Sequence, residues 1–279
     1  MSGVIFSYQQ IDPVKLKCKI NLKKLLPAPK QRERFNKKWN EFLESDPYNK
    51  EIFDLKGDLL KYQSEQLIPT KIDNRPPLLL VLGNPASHSV KEGMFFSFEG
   101  NKKEHRFWKN ILKPAGILDL PYDKNLPINE LNEHRKDQLL NLKYKSPFRI
   151  GLCVFISIPS TPSGKWSGVT GVQRLIGAKA LRELEKEECR RVIECAKKFL
   201  SPNGVAVAFQ KNAWNGLRSV KDPEYKLDKA KSGKLKGTLK DMPNIPLLGV
   251  PPTRLSGPCS EILRQLLEEQ GYNLPTFVK

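Results

Sequence analysis

The chain has 279 residues, of which 39% are hydrophobic and 28% charged, the balance of a water-soluble protein that buries a substantial core. No apolar run reaches the roughly 18 residues that a membrane span needs, and the start, MSGVIFSYQQIDP, lacks the charged-then-apolar order of a secretory signal. Lys and Arg number 48 against 30 Asp and Glu, a formal charge of +18, more than solubility requires. A polyanion is the natural partner, because each neutralised phosphate releases counterions. Charge alone does not separate nucleic acid from an anionic membrane surface, but no basic amphipathic helix stands out, which favours nucleic acid.

Residues 1–75 read as a basic N-terminal extension packing on the core, with contact to a substrate as the alternative role. Lys15, Lys17 and Lys19 alternate with Leu16, Cys18 and Ile20, the period of a strand. Phe35, Trp39 and Phe42 recur at helical spacing over about 32–43, and 51–67 offers a second helix. Asn74-Arg75-Pro76-Pro77 forces an extended entry into the first core strand. That strand is Leu78 to Leu82, a short continuous apolar run with the pattern of burial on both faces. It breaks at Gly83-Asn84-Pro85 into a loop with His88, Gly93, Phe95 and Phe96. A helix is expected over about 104–113, with Phe107 and Trp108 as core, stopped by Pro114 and Gly116. A further helix is expected over about 128–140.

Phe148 to Ile158 (FRIGLCVFISI) reads as a second buried strand, followed by the breaker-rich loop PSTPSGKWSGVTG at 159–171. Two largely helical stretches come next, 175–184 and 187–200. GVAVAF at 204–209 is the third strand. Residues 221–240 hold seven lysines against three acids and read as a basic loop. The fourth strand is Ile245 to Val250, then PPTRLSG at 251–257 and a last helix over about 258–270. The sum is an α/β fold: a three-layer α/β/α sandwich around a mainly parallel sheet of about four core strands, spanning 76–279. In such sheets ligands bind beyond the carboxyl ends of the strands, so the loops 83–96, 157–171, 210–216 and 251–257 would meet on one rim.

Generic motifs exclude several chemistries. There is no G-x-x-x-x-G-K-[ST], no G-x-G-x-x-G after the first strand, no G-x-S-x-G and no H-E-x-x-H, which removes the familiar nucleotide, hydrolase and zinc-protease sites. The rim lacks the clustered carboxylates of a two-metal nuclease. The five cysteines show no C-x-x-C spacing and read as reduced thiols of an intracellular protein. Neither a metal nor a cofactor is expected. The rim is instead rich in Asn, Ser, Thr, Gly, Pro and aromatics, which suits an extruded base held by stacking and amide contacts.

Residues 82–116 resemble the uracil-DNA glycosylase superfamily, closest to its mismatch-specific and single-strand-selective branches. The likeness rests on Gly83-Asn84-Pro85 after the first strand, Phe95-Phe96 a dozen residues on, and Arg106-Phe107-Trp108-Lys109 leading to Gly116. VPPTRLSG at 250–257 adds a weaker match to the loop that inserts beside a flipped nucleotide. The resemblance implies a monofunctional glycosylase of base excision repair. It would hydrolyse the N-glycosidic bond of uracil or another deaminated base and leave an abasic site. It would act as a monomer on single- or double-stranded DNA, in the cytoplasm, nucleoid or nucleus. The alternative is a noncatalytic nucleic-acid-binding protein that keeps the fold. By the likeness Asn84 positions the attacking water, and Phe95 or Phe96 stacks on the base. Thr253 stands where the family often presents a histidine, and Arg254 and Leu255 supply phosphate and wedge contacts. Ser157, Asn212 and Asn215 are expected as pocket walls. His88, Lys165 and, in the basic run, Lys231, Lys234 and Lys236 are expected to meet DNA. Asn in place of the faster members' Asp, and no histidine in 251–257, point to slow or broad activity.

Overall fold

The computed structural model describes residues 4–277, a mixed α/β chain with nine strands among the described residues. They are β1 (Phe6–Gln10), β2 (Lys15–Asn21), β3 (Phe53–Lys56), β4 (Leu59–Leu67), β5 (Pro77–Leu82), β6 (Arg149–Val154), β7 (Val205–Ala208), β8 (Lys236–Leu239) and β9 (Met242–Gly249). The chain divides into two compact units. The first holds residues up to Gln66 with Gly83–Phe95 and Val154–Val192. The second holds Leu67–Leu82, Phe96–Cys153 and Ile193 onward.

The first unit is built on antiparallel pairs. A two-residue turn with Gly57 at φ 56° joins β3 to β4, a left-handed conformation that glycine adopts without penalty. This corrects the helix expected over 51–67. Leu60, Tyr62 and Ser64 are buried on one face of β4 while Lys61 and Gln63 are more exposed, a period of two that the apolar count alone did not reveal. β2 pairs with both β1 and β4, setting Cys18 between Tyr8 and Tyr62. The helix Pro29–Glu44 extends the one expected at 32–43 and buries Phe35, Trp39 and Phe42. Phe42 and Trp39 meet Phe53 edge-on at 5.3 and 5.7 Å, and Phe42 meets Trp166 at 5.9 Å.

Beneath this layer lies a buried ion pair. Glu188 and Arg191, one turn apart on the helix Ala178–Leu200, are both fully buried with Arg191 Nε 2.7 Å from Glu188 Oε2. Arg191 also donates to Gln66 Oε1 at 3.1 Å and to the carbonyls of Val154 and Phe155. Glu188 Oε1 accepts from the Ser157 N–H at 2.6 Å and from its hydroxyl, which in turn meets Tyr62 OH at 2.7 Å. The segment after β6 is thereby held by its backbone. Burial in this setting pushes the Cys18 thiol up to about 12.

The second unit carries the expected buried strands, in the order β6-β5-β7-β9-β8. β5, β7 and β9 are parallel, Leu78 lying beside Val205 and Ala206 beside Leu247. β8 is an antiparallel edge on β9. Outside the four core strands, β2 covers the alternating stretch 15–20 that reads as a strand, whereas β1, β3, β4 and β8 are short or half-polar and carry no continuous apolar signal. The lysine-rich 221–240 run is likewise not all loop: it forms the helix Leu227–Lys231 and then β8. The helices Ile128–Leu140 and Ser256–Glu269 match the expected spans closely. Between 104 and 113 the chain forms a π-helix, Phe107–Leu112, whose wide turn buries Phe107, Trp108, Ile111 and Leu112 together. All five cysteines are buried and none forms a disulfide among the described residues. Among the described residues no helix is long and apolar enough to cross a membrane.

The first unit makes two stability outcomes measurable. E188A leaves the Arg191 charge buried without its partner and is expected to cost about 3–5 kcal/mol. The double variant E188L/R191L should lose less, as urea denaturation would show. Glu65 is 3% exposed, and its Oε2 has no hydrogen-bond partner. Burial holds its pKa well above the ordinary carboxylate range. The folded state then binds a proton that the unfolded state releases, so stability falls as pH rises above the unfolded value. E65Q should therefore raise the melting temperature at pH 7–8, with the gain vanishing below about pH 4.

Candidate active site

The site begins where β5 ends. Past Leu82 the chain continues alongside the segment after β6 as an extended ladder. Gly83 O accepts from Ile156 N at 2.8 Å, Pro85 O from Ser160 N at 3.0 Å, and Ser160 O from Ser87 N at 3.0 Å. Proline at 85 is tolerated because its carbonyl, not its nitrogen, enters the ladder. Ser87 Oγ donates to Asn49 Oδ1 at 2.6 Å, which ties the start of the helix Ser87–Glu92 to the helix Asn49–Ile52.

Asn84 is half-buried on this ladder. Its Nδ2 donates to Ser160 Oγ at 2.9 Å and to Ile158 O at 3.1 Å, with Pro85 O at 3.5 Å. Two of these three acceptors are carbonyls, which only accept, so the amide has a single orientation. Oδ1 has no hydrogen-bond donor from the protein among the described residues. It is an immobilised acceptor, suited to the O–H of a water or a substrate. Ser160 Oγ also accepts the Gly168 N–H at 2.8 Å, linking Asn84 to the start of the helix Gly168–Ile176. Ser160 was legible only as part of a wall segment, since a serine in a breaker-rich loop carries no sequence mark of such a role.

The two phenylalanines differ. Phe95 is 1% exposed and belongs to the core. Phe96 is half-buried and has φ 49°, a left-handed backbone that is costly for an aromatic residue. Trp108 Nε1 donates to its carbonyl at 3.2 Å. The Phe96 ring lies nearly parallel to His105 at 4.5 Å and close to Phe107 at 4.4 Å. A base stacking on the face that His105 covers would take the place of His105. His88 is half-buried, with Nε2 3.3 Å from Ser89 Oγ.

Several expected site residues are already engaged. Ser157 is fully buried within the Glu188 network; it meets a carboxylate 31 residues away, which no local pattern shows. Asn215 Oδ1 accepts from Tyr225 N at 2.8 Å, which uses one of its two acceptor positions. Asn212 is half-buried. Lys165 pairs with Glu41 at 2.5 Å, while Trp166 beneath it is 3% exposed. An open cleft of about 520 Å³ is lined there by Glu41, Glu44, Thr161, Lys165 and Trp166, and its two carboxylates repel phosphate. In the 251–257 turn Leu255 N donates to Pro252 O at 2.8 Å; Thr253 and Leu255 are half-buried and Arg254 is exposed. Lys236 pairs with Glu269, whereas Lys231 and Lys234 are exposed with no ion pair among the described residues.

Among the described residues no three His, Cys, Asp or Glu side chains cluster as a metal centre would require. No model of a known protein family matches the chain, and no curated protein matches it.

S160A removes the acceptor shared by Asn84 and Gly168. It is expected to destabilise the fold by about 1–3 kcal/mol, measured as a shift in the urea midpoint. An unchanged midpoint would mean that Ile158 O alone holds the amide.

Proposed function

We propose that the chain is a monofunctional DNA glycosylase. It hydrolyses the bond between deoxyribose and an extruded uracil, or another deaminated base, in DNA repair. The observation that carries this reading is the Asn84 side chain. Its amide nitrogen is tied to Ile158 O and Ser160 Oγ, and its oxygen is left to hold a water. Glycosidic cleavage passes through a transition state with oxocarbenium character, so the water needs alignment more than full deprotonation. An amide does this without accepting a proton near neutral pH. The water oxygen attacks C1′, the base departs with the bonding pair, and the surplus proton passes to solvent. The charge of +18 supplies affinity for the DNA backbone. The finer architecture in this reading is a three-layer α/β/α sandwich around the parallel strands β5, β7 and β9 with β6.

One observation favours a second reading, a noncatalytic nucleic-acid-binding protein. His105 already stacks on the Phe96 ring and Phe107 lies tilted against it, so a base stacking where His105 lies has to displace it.

The test is cleavage at abasic sites in oligonucleotides carrying uracil, hypoxanthine or 5-substituted uracils opposite each base. Cleavage of at least one substrate is expected. N84A should reduce it by about 100-fold or more with DNA affinity retained. Binding without cleavage across the panel would favour the noncatalytic reading, and full activity of N84A would remove Asn84 from the chemistry.

A further inference from the structure

The first unit has a feature that water positioning does not use. In β2, Lys15, Lys17 and Lys19 project from one face of the sheet, because Leu16, Cys18 and Ile20 between them are fully buried on the other. Register adds to the row. Lys61 of β4 lies directly across from Lys19, Gln63 across from Lys17, and Ser7 and Gln9 of β1 flank Lys19 and Lys17 on the other side. Lys17 and Lys19 are exposed, and Lys15 and Lys61 half-buried. None of the four forms an ion pair among the described residues, whereas Lys37, Lys91, Lys165 and Lys186 in the same unit each meet a carboxylate.

Stability alone does not account for this arrangement, since like charges directly opposite on neighbouring strands are destabilising. The acids nearest in register do not cancel the row. Asp54, across from Lys61, pairs with Lys56 at 3.6 Å. Asp12 caps the β1–β2 turn, accepting from the Val14 and Lys15 N–H groups at 2.8 Å. Glu65, across from Lys15, is buried, and that burial favours its neutral form.

The row leads toward the Asn84 loop. Gly93, which ends the helix Ser87–Glu92 at φ 67°, sits so close to Lys15 that a Cβ there would come within 2.9 Å of Lys15 Cε. Successive lysines on a strand stand about 6.8 Å apart, similar to the spacing of neighbouring phosphates on an extended polynucleotide. The groups between them are hydrogen-bonding amides and a hydroxyl.

We propose that the face formed by Lys15, Lys17, Lys19 and Lys61 docks the phosphate backbone of single-stranded nucleic acid. The straight row fits an extended strand better than the curved backbone of a duplex. An anionic bilayer is the other polyanion, but membrane docking draws on apolar side chains that enter the interface. Here the exposed apolar residues, Ile11 and Leu59, stand at the ends of the face. The proposal does not depend on catalysis by Asn84.

The test uses the full chain and a fluorescently labelled single-stranded oligonucleotide of undamaged bases, with anisotropy measured across a salt series. The quadruple variant K15Q/K17Q/K19Q/K61Q is expected to bind roughly tenfold or more weakly at low salt. The slope of log K against log salt should be shallower by up to about 3. The matching Lys→Arg variant should bind like the wild type, and N84A should leave this binding unchanged. If the quadruple variant melts early, K17Q/K19Q carries the test, with a slope change of about 1.4. Wild-type binding by the glutamine variants would overturn the proposal. So would a loss confined to duplex DNA or to anionic phospholipid vesicles.

Discussion

The buried pair Glu188–Arg191 is the constraint on which the first unit depends. Two charges removed from water are tolerable only when their remaining hydrogen-bonding sites are met. Here they are met largely by backbone: the carbonyls of Val154 and Phe155 and the N–H of Ser157. That requirement fixes the path of the chain after β6. Residues 158–160 come directly after, and they present the carbonyl and hydroxyl that orient Asn84. An ion pair that adds little net stability of its own therefore decides where the Asn84 amide can point.

This explains why the candidate residue is rigid although it stands in a loop. Asn84 is attached to an extended ladder, not to a free turn, and its amide orientation is set by acceptors that cannot exchange roles. In the proposed reaction, a water on Oδ1 would be held by a fixed group, so little of the barrier would go into ordering it. Phe96 shows a different kind of pre-organisation. Its left-handed backbone and the Trp108 hydrogen bond to its carbonyl hold the ring in one place, and the His105 ring lies on it at base-stacking distance.

The electrostatics are also distributed unevenly. Two of the lysines expected to meet DNA are paired locally, Lys165 with Glu41 and Lys236 with Glu269. The row on β2 and β4 is not. The functional weight of a charge of +18 thus depends less on its sum than on which cations lack a carboxylate neighbour.

Long apolar runs were readable without coordinates. LLLVL at 78–82 and FRIGLCVFISI at 148–158 read as strands because a continuous apolar stretch of that kind suits burial on both faces, and the second of them is β6 over the shorter span Arg149–Val154. Helical spacing likewise marked Phe35, Trp39 and Phe42 and the helix 128–140. Asn84 stood out through the resemblance carried by Gly83-Asn84-Pro85 after the first core strand. The alternation over 15–20 marked β2 as a strand, but the chain's own order did not show its antiparallel partners or the β3–β4 hairpin, where a helix is expected. Nor could it show that Ser157 faces Glu188, that Asn215 accepts from Tyr225, or that Lys19 stands opposite Lys61. Those are pairings between residues 10 to 42 positions apart. Local propensity is blind to such pairs, because a polar side chain is defined by the partner that folding brings to it.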